Sequence, residues 1–295
     1  MPSLKEVKNR ITSVVSTQQI TKAMKMVAAA KLRRSQERIQ QMRPFAKKLN
    51  ALLQNLSAAQ FDSDGGNWYS VTREERKILI ISVSSDRGLC GSFNSSVFKG
   101  VNKLIGERYA AQFAKGNVTV LTIGKKSGDY FGKRKCNVVG DFTLLFSTLS
   151  FENVSKAADF VMESFKHGKY DRVDLVYNEF KNVATQILRT EQFLPILAPE
   201  RRAAKAHTVD YIYQPDQDEI IESLIPQSLK VQLYKAVLDS NAAENGARMT
   251  AMDKATDNAG ELLKQLRLTY NRTRQAAITK EILEIVGGAE ALKSS

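Results

Sequence analysis

Counting alternately three and four residues from Leu4 gives an unbroken series: Leu4, Val7, Ile11, Val14, Gln18, Thr21, Lys25, Ala28, Leu32, Ser35, Ile39, Met42, Ala46, Leu49, Leu53 and Leu56. Twelve of these sixteen positions are apolar, and the register never slips. The first 60 residues hold no glycine and prolines only at 2 and 44. A heptad seam of this length predicts one long helix, packed in a left-handed coiled coil. At 1.5 Å per residue it extends roughly 80 Å, with Pro44 as a candidate bend. Such a helix needs a partner, and the far end of the chain offers one. Ile221, Leu224, Val231, Leu238, Ala242, Met249, Met252, Ala259, Leu263, Leu266 and Tyr270 form a second seam. Pro226 marks a kink or the true start of that helix.

Between the seams the texture changes. "FDSDGGNWYS" breaks the pattern with Gly, Asp and Ser and reads as an exposed linker. Strands are predicted at 77–84, 117–123, 172–178 and 186–193, with helices at 92–113 and 151–167. Strands separated by helices define a βαβ sheet. The fold class is therefore α/β: a long antiparallel coiled coil of N- and C-terminal helices, with an inserted Rossmann-like α/β domain. The boundaries are 1–60 for the first helix, 61–75 for the linker, 76–215 for the α/β domain and 216–295 for the C-terminal helix.

Polar residues interrupt both seams. Gln18, Thr21 and Lys25 stand in the first, and "NRTRQAAITK" follows the second. They either set the register or are solvated, or else these helices run inside another protein that touches their outer faces too.

Charge narrows the partners without choosing one. The chain carries a net charge of +13. Residues 1–60 hold 12 Lys and Arg against the acids Glu6 and Glu37, an excess of ten, whereas residues 218–295 are nearly balanced. A basic segment meets nucleic acid, a membrane surface or an acidic protein. The basic residues are not interleaved with aromatics and no groove-reading motif occurs, which counts against a nucleic-acid-binding coiled coil. No run approaches the ~20 apolar residues of a membrane span, and no secretory core follows the N-terminus. Cys90 and Cys136 match no metal or redox spacing and suit a reducing compartment.

"ILIISVSSDRGLCGSFN" has the layout of a phosphate loop: a β-branched run, then Gly88 and Gly91, then a helix. It lacks the chemistry. There is no G-x-G-x-x-G, and no Lys-Ser or Lys-Thr follows a second glycine. "IGKKS" at 123–127 has Thr119 where a P-loop has its first glycine, and Lys126 displaces the hydroxyl residue. The two histidines, His167 and His207, make no catalytic set with a nucleophile. A standalone nucleotide-binding enzyme is disfavoured; no catalytic site, metal or cofactor is expected.

"LKEVKNRITSVVSTQQITKAMKMVAAAKLRRSQ" and "ARMTAMDKATDNAGELLKQLRLTYNRTRQAAITKEILEIVGGAEAL" resemble the gamma subunit of F-type ATP synthases, bacterial type, and the likeness extends through "SSDRGLCGSFN". The resemblance implies a non-catalytic rotor shaft. It turns inside a head of alpha and catalytic beta subunits and seats, with an epsilon subunit, on the membrane c-ring. That location is the cytoplasmic face of the bacterial inner membrane. It also implies site residues. Arg274 and Gln275 match the family's pair that contacts a beta-subunit loop. Met24, Lys25 and Met26 match its "MKMV" segment, beside that region on the N-terminal helix. Ile278, Glu281, Ile282, Ile285 and Val286 match the bearing tip, where Ala276, Ala277, Gly287, Gly288 and Ala289 keep the girth small. Chloroplast relatives carry an inserted regulatory cysteine pair; with two distant cysteines, no thiol switch is expected here.

Overall fold

The computed structural model describes residues 3–60, 68–134, 136–196 and 217–293. The first seam is the helix α1 (Leu4–Gln60), continuous through Pro44, and the second lies on α6 (Gln217–Lys293), continuous through Pro226. Pro226 is thus inside the helix, not at its start. The chain divides into two units, Ala29–Arg248 and a smaller one of Met1–Ala28 with Met249–Ser295; both helices contribute to both.

The larger unit is built on five strands in the order β3-β2-β1-β4-β5. Strands β1 (Ile78–Val83), β2 (Val118–Ile123), β3 (Asn137–Val139) and β4 (Arg172–Phe180) are parallel, and β5 (Gln186–Leu194) returns antiparallel to β4. Ile78 pairs with Val118 on one side and Arg172 on the other, so β1 is central. Its six residues are all buried, as a strand covered on both faces requires. Alternation then splits them. Leu79, Ile81 and Val83 meet Leu121, Leu175, Val161 and Phe165 on one face, while Ile78 and Ile80 meet Val97, Val101 and Ile105 on the other. Each fully buried aliphatic of this size contributes about 1.5–3 kcal/mol.

The connections are α2 (Phe93–Arg108), α3 (Ala110–Ala114), α4 (Lys125–Phe131), a 3-10 turn (Leu145–Thr148) and α5 (Phe151–Lys166). The hydroxyl of Ser150 caps α5 by accepting from the Asn153 amide at 3.2 Å, a contact worth about 1 kcal/mol. The helix expected over 92–113 is broken at Tyr109, which leaves helical geometry with φ −118° and ψ 23°. Its buried hydroxyl donates to Asp174, which also takes Arg172 at 3.2 Å, while Glu75 takes Arg172 at 2.8 Å. A tyrosine drawn inward to a buried ion cluster ends the helix where periodicity alone continues it.

Part of α6 belongs to this unit's core. Ile225, Leu229, Leu233, Ala236 and Val237 join the β1–β4–α5 cluster, with Lys230 paired to Asp159 at 2.8 Å. On α1, the seam residues Leu32, Ser35, Ile39 and Leu49 are buried, and Ser35 donates to Asn241 of α6 at 2.6 Å.

In the smaller unit the seam is equally plain. Val7, Thr21 and Ala28 are buried on α1, as are Met252, Ala259 and Leu263 on α6. The polar seam positions find polar partners across it: Thr21 with Thr256 at 2.8 Å, Gln18 with the Thr256 carbonyl at 3.5 Å, and Lys25 with Asp253 at 2.5 Å. Partner numbers fall as α1 numbers rise, so the pair is antiparallel. These residues set the register, the first of the two readings their sequence allows. Ala46, Leu53, Leu56 and Ile221 have side chains outside the described set.

Candidate functional site

Two places were marked by the sequence: the loop after β1 and the far end of α6.

The loop follows the carboxyl end of the central strand, where doubly wound sheets hold ligands. A phosphate there needs free amides. Here three amides at that end of the sheet are taken up within the chain. The Ser85 amide donates to Asn94 Oδ1 at 3.0 Å. At the start of α4, Lys125 N donates to Asp86 Oδ1 at 3.1 Å and Ser127 N to Ser84 Oγ at 2.8 Å. Gly124 sits at φ +96°, where an added Cβ would lie 2.1 Å from the Ser84 carbonyl, so "IGKKS" is bent for close contact between β2 and the loop. The loop's outer carbonyls face a cation: Arg248 of α6 donates to Arg87 O at 3.0 Å and to Gly88 O at 3.4 Å, and pairs with Glu244 at 2.7 Å. Cys90 and Phe93 pack on Ala243 and Ala247. The loop is a clasp on α6. Its Leu89 is 65% exposed at φ +62°, a left-handed conformation that costs a branched residue about 1 kcal/mol or more.

The end of α6 is different. Leu263 is its last buried residue among those described, and from Arg274 to Ala289 every described side chain is exposed. Ile278 (48%), Ile282 (55%), Ile285 (71%) and Val286 (54%) hold large apolar surface in the open, joined by Leu283 at 66%. Glu281 is exposed among them. A Cβ added at Gly287 or Gly288 meets nothing within 4 Å, so no contact in the chain requires glycine there. Arg274 and Gln275 are exposed on the same helix, the Gln275 carbonyl accepting from Thr279 at 2.9 Å.

Met24 is half-buried on α1, and Lys25 is engaged by Asp253. Arg274 lies 21 residues further along α6 than Asp253, or roughly 30 Å along the axis. The pair at 24–25 and the pair at 274–275 are therefore separate patches, which corrects the expectation that they stand side by side. Met26, beside the pair at 24–25, is 61% exposed, and two further outward residues of α1 not singled out among the site residues, Ile20 and Val27, are 59% and 57% exposed. Their signal was available, as apolar residues off the seam.

Among the described residues, no group of three or more His, Cys, Asp or Glu stands together to hold a metal. His167 ends α5, and His207 lies outside the described residues. Cys90 is buried and Cys136 half-buried, both free, with burial pushing the thiol pKa of each up.

Two features define a class: in the larger unit an α/β sheet packed with α6, and in the smaller unit an antiparallel helix pair whose α6 end is bare and apolar. A family model described as ATP synthase matches residues 3–292. The ATP synthase gamma chain of Cytophaga hutchinsonii is 57% identical over the full length of both chains. That of Flavobacterium psychrophilum is 54% identical, over 99% of this chain and all of the other. A chain of the Euglena gracilis mitochondrial ATP synthase shares the fold, with a TM-score of 0.67 at 22% identity over 98% of this chain and 94% of that one. This chain belongs to the ATP synthase gamma chain family.

Proposed function

We infer that this chain is the central shaft of an F-type ATP synthase, coupling ion flow through a membrane ring to ATP synthesis by rotation. The observation that carries the reading is the bare end of α6. A helix that exposes four β-branched aliphatic residues, a leucine and two glycines over 278–288 is costly in water unless a sleeve surrounds it. Isoleucine and valine offer such a sleeve contact area without directional bonds, so no single angle is trapped. We place the tip inside a head of alpha and beta subunits, with Arg274 and Gln275 on one beta-subunit contact and Met24 on another. Lys25 reaches the second contact only by sharing or leaving Asp253. The chain itself contributes no catalytic group in this reading. The parts that act are the helices 1–60 and 216–295, the α/β domain 76–215 and the linker 61–75. No helix among the described residues is long and apolar enough to cross a membrane. Attachment to the cytoplasmic face of a bacterial inner membrane then runs through an epsilon subunit and the c-ring.

The test is co-purification. A tagged chain expressed in its own host should bring down alpha and beta subunits in fixed ratio, and its deletion should abolish ATP-driven proton pumping in inverted vesicles. Recovery of the chain alone, with pumping intact in the deletion, sinks the reading.

A further inference from the structure

We propose that a cleft in the larger unit, walled by α1, the β1–α2 loop, α6 and the turn at 146–149, binds a small multivalent phosphate-bearing anion. The cleft encloses about 380 Å³, within the range of about 300–1,000 Å³ typical of ligand sites. Lys31, Arg34 and Arg38 line it from α1, at spacings of three and four that put them on one helix face. Arg87 and Arg248 line it from the loop and α6, so five cations face two carboxylates, Asp86 and Glu244.

Both carboxylates are already engaged. Glu244 holds Arg248 at 2.7 Å, and Asp86 accepts from the Lys125 amide at 3.1 Å. The guanidinium groups of Arg34, Arg38 and Arg87 have no hydrogen bond or ion pair to any described residue. Three exposed guanidiniums with no partner among the described residues line one space, where their like charge favours an anion of several charges. Guanidinium forks match phosphate oxygens in bidentate pairs. A compact anion with several charges fits this enclosure better than an extended acidic peptide, which spreads its charge over ~3.3 Å per residue. The ligand is held by side chains and not by loop amides, so this site is separate from the phosphate-loop layout and independent of the shaft reading.

The experiment is calorimetric titration of the full chain at constant ionic strength. The probes are tripolyphosphate, inorganic phosphate, ATP, adenosine and a hexaglutamate peptide. Tripolyphosphate should bind saturably, one per chain, at least tenfold tighter than inorganic phosphate, and adenosine should not bind. ATP on a par with tripolyphosphate assigns a free polyphosphate; ATP tenfold tighter assigns a nucleotide held by its phosphates. Arg34→Gln with Arg38→Gln should weaken tripolyphosphate tenfold or more with an unchanged melting temperature. If that double variant melts early, each single variant should still weaken binding about threefold. The matched loss of charge on α2, Lys99→Gln with Lys103→Gln, should change affinity less than twofold. Three results overturn the proposal: no saturable binding, equal weakening by the α2 variant, or hexaglutamate binding tighter than tripolyphosphate, which gives the cleft to an acidic protein segment.

Discussion

Single residues carry two testable consequences. Glu244 has a side chain only 10% exposed, and burial pushes its pKa above the usual carboxylate value more than the Arg248 guanidinium draws it down. The folded chain therefore holds this proton at pH values where the unfolded chain has lost it. Stability from this group is present below the ordinary value of 4.5 and declines as pH rises through the window above it. Glu244→Gln keeps an acceptor for Arg248 but removes the titration. Melting temperatures from pH 4 to 8 should show wild type losing ground to the variant as pH rises; a difference independent of pH contradicts the assignment. Gly287 and Gly288 make the second case. Glycine inside a helix costs about 1 kcal/mol against alanine, and a Cβ at either position meets nothing. Gly287→Ala with Gly288→Ala should raise the helical signal of the isolated chain by circular dichroism and slow ATP-driven pumping in the assembled complex. Faster or equal pumping would show that girth at the tip does not matter.

At the scale of elements, the seams tie sequence to fold most tightly. Leu263 and Leu49 are each 6% exposed, and a carboxylate without a partner at either place should cost several kcal/mol. Leu263→Asp and Leu49→Asp should each lower the yield of assembled complex before they alter its turnover, as read from gel filtration and specific activity. Normal yield with reduced turnover contradicts a structural role. The seam was legible because a helical repeat of three and four needs only residue types: on α1 every described side chain that is fully buried falls on it. The long strands were legible for the same reason, since alternation and β-branching are local. Strand β3, at three residues, and the seven-residue α4 are too short for any period to register. Tyr109 ends α2 by reaching Asp174, 65 residues away, and no local pattern reports a bond of that kind. The clasp of Arg248 on the loop at Arg87 was hidden likewise, because its acceptors are backbone carbonyls without a residue signature. Of the candidate contacts, the tip at 278–286 could be read from apolar residues beyond the end of a seam. The distance between Met24 and Arg274 could not, because it depends on how α1 and α6 are paired.

For the whole molecule, the question is whether coupling rests on one contact or on many. Arg274 is exposed and makes no hydrogen bond or ion pair to a described residue, and Gln275 is exposed beside it. Exposed charged contacts contribute about 0–1 kcal/mol each, so on the proposed shaft role neither residue can carry the torque alone. Apolar area is spread over Ile20, Met26 and Val27 on α1 and over Ile278, Ile282, Leu283, Ile285 and Val286 on α6. On the proposed role, coupling through this area is shared among contacts that can each be lost singly. Arg274→Ala or Gln275→Ala should then slow ATP-driven proton pumping no more than about five- to tenfold, the effect of roughly 1 kcal/mol on a barrier, with assembly intact. Removing Ala289–Ser295 should cost less still, because the exposed apolar residues named above precede it. Charging the apolar surface at two places at once, as in Ile282→Asp with Val27→Asp, should cost more than Arg274→Ala, although both positions are exposed. Pumping and assembly yield are measured together for each variant. Complete loss in Arg274→Ala with full assembly, alongside near-normal pumping in the double aspartate variant, would replace distributed coupling by one indispensable contact.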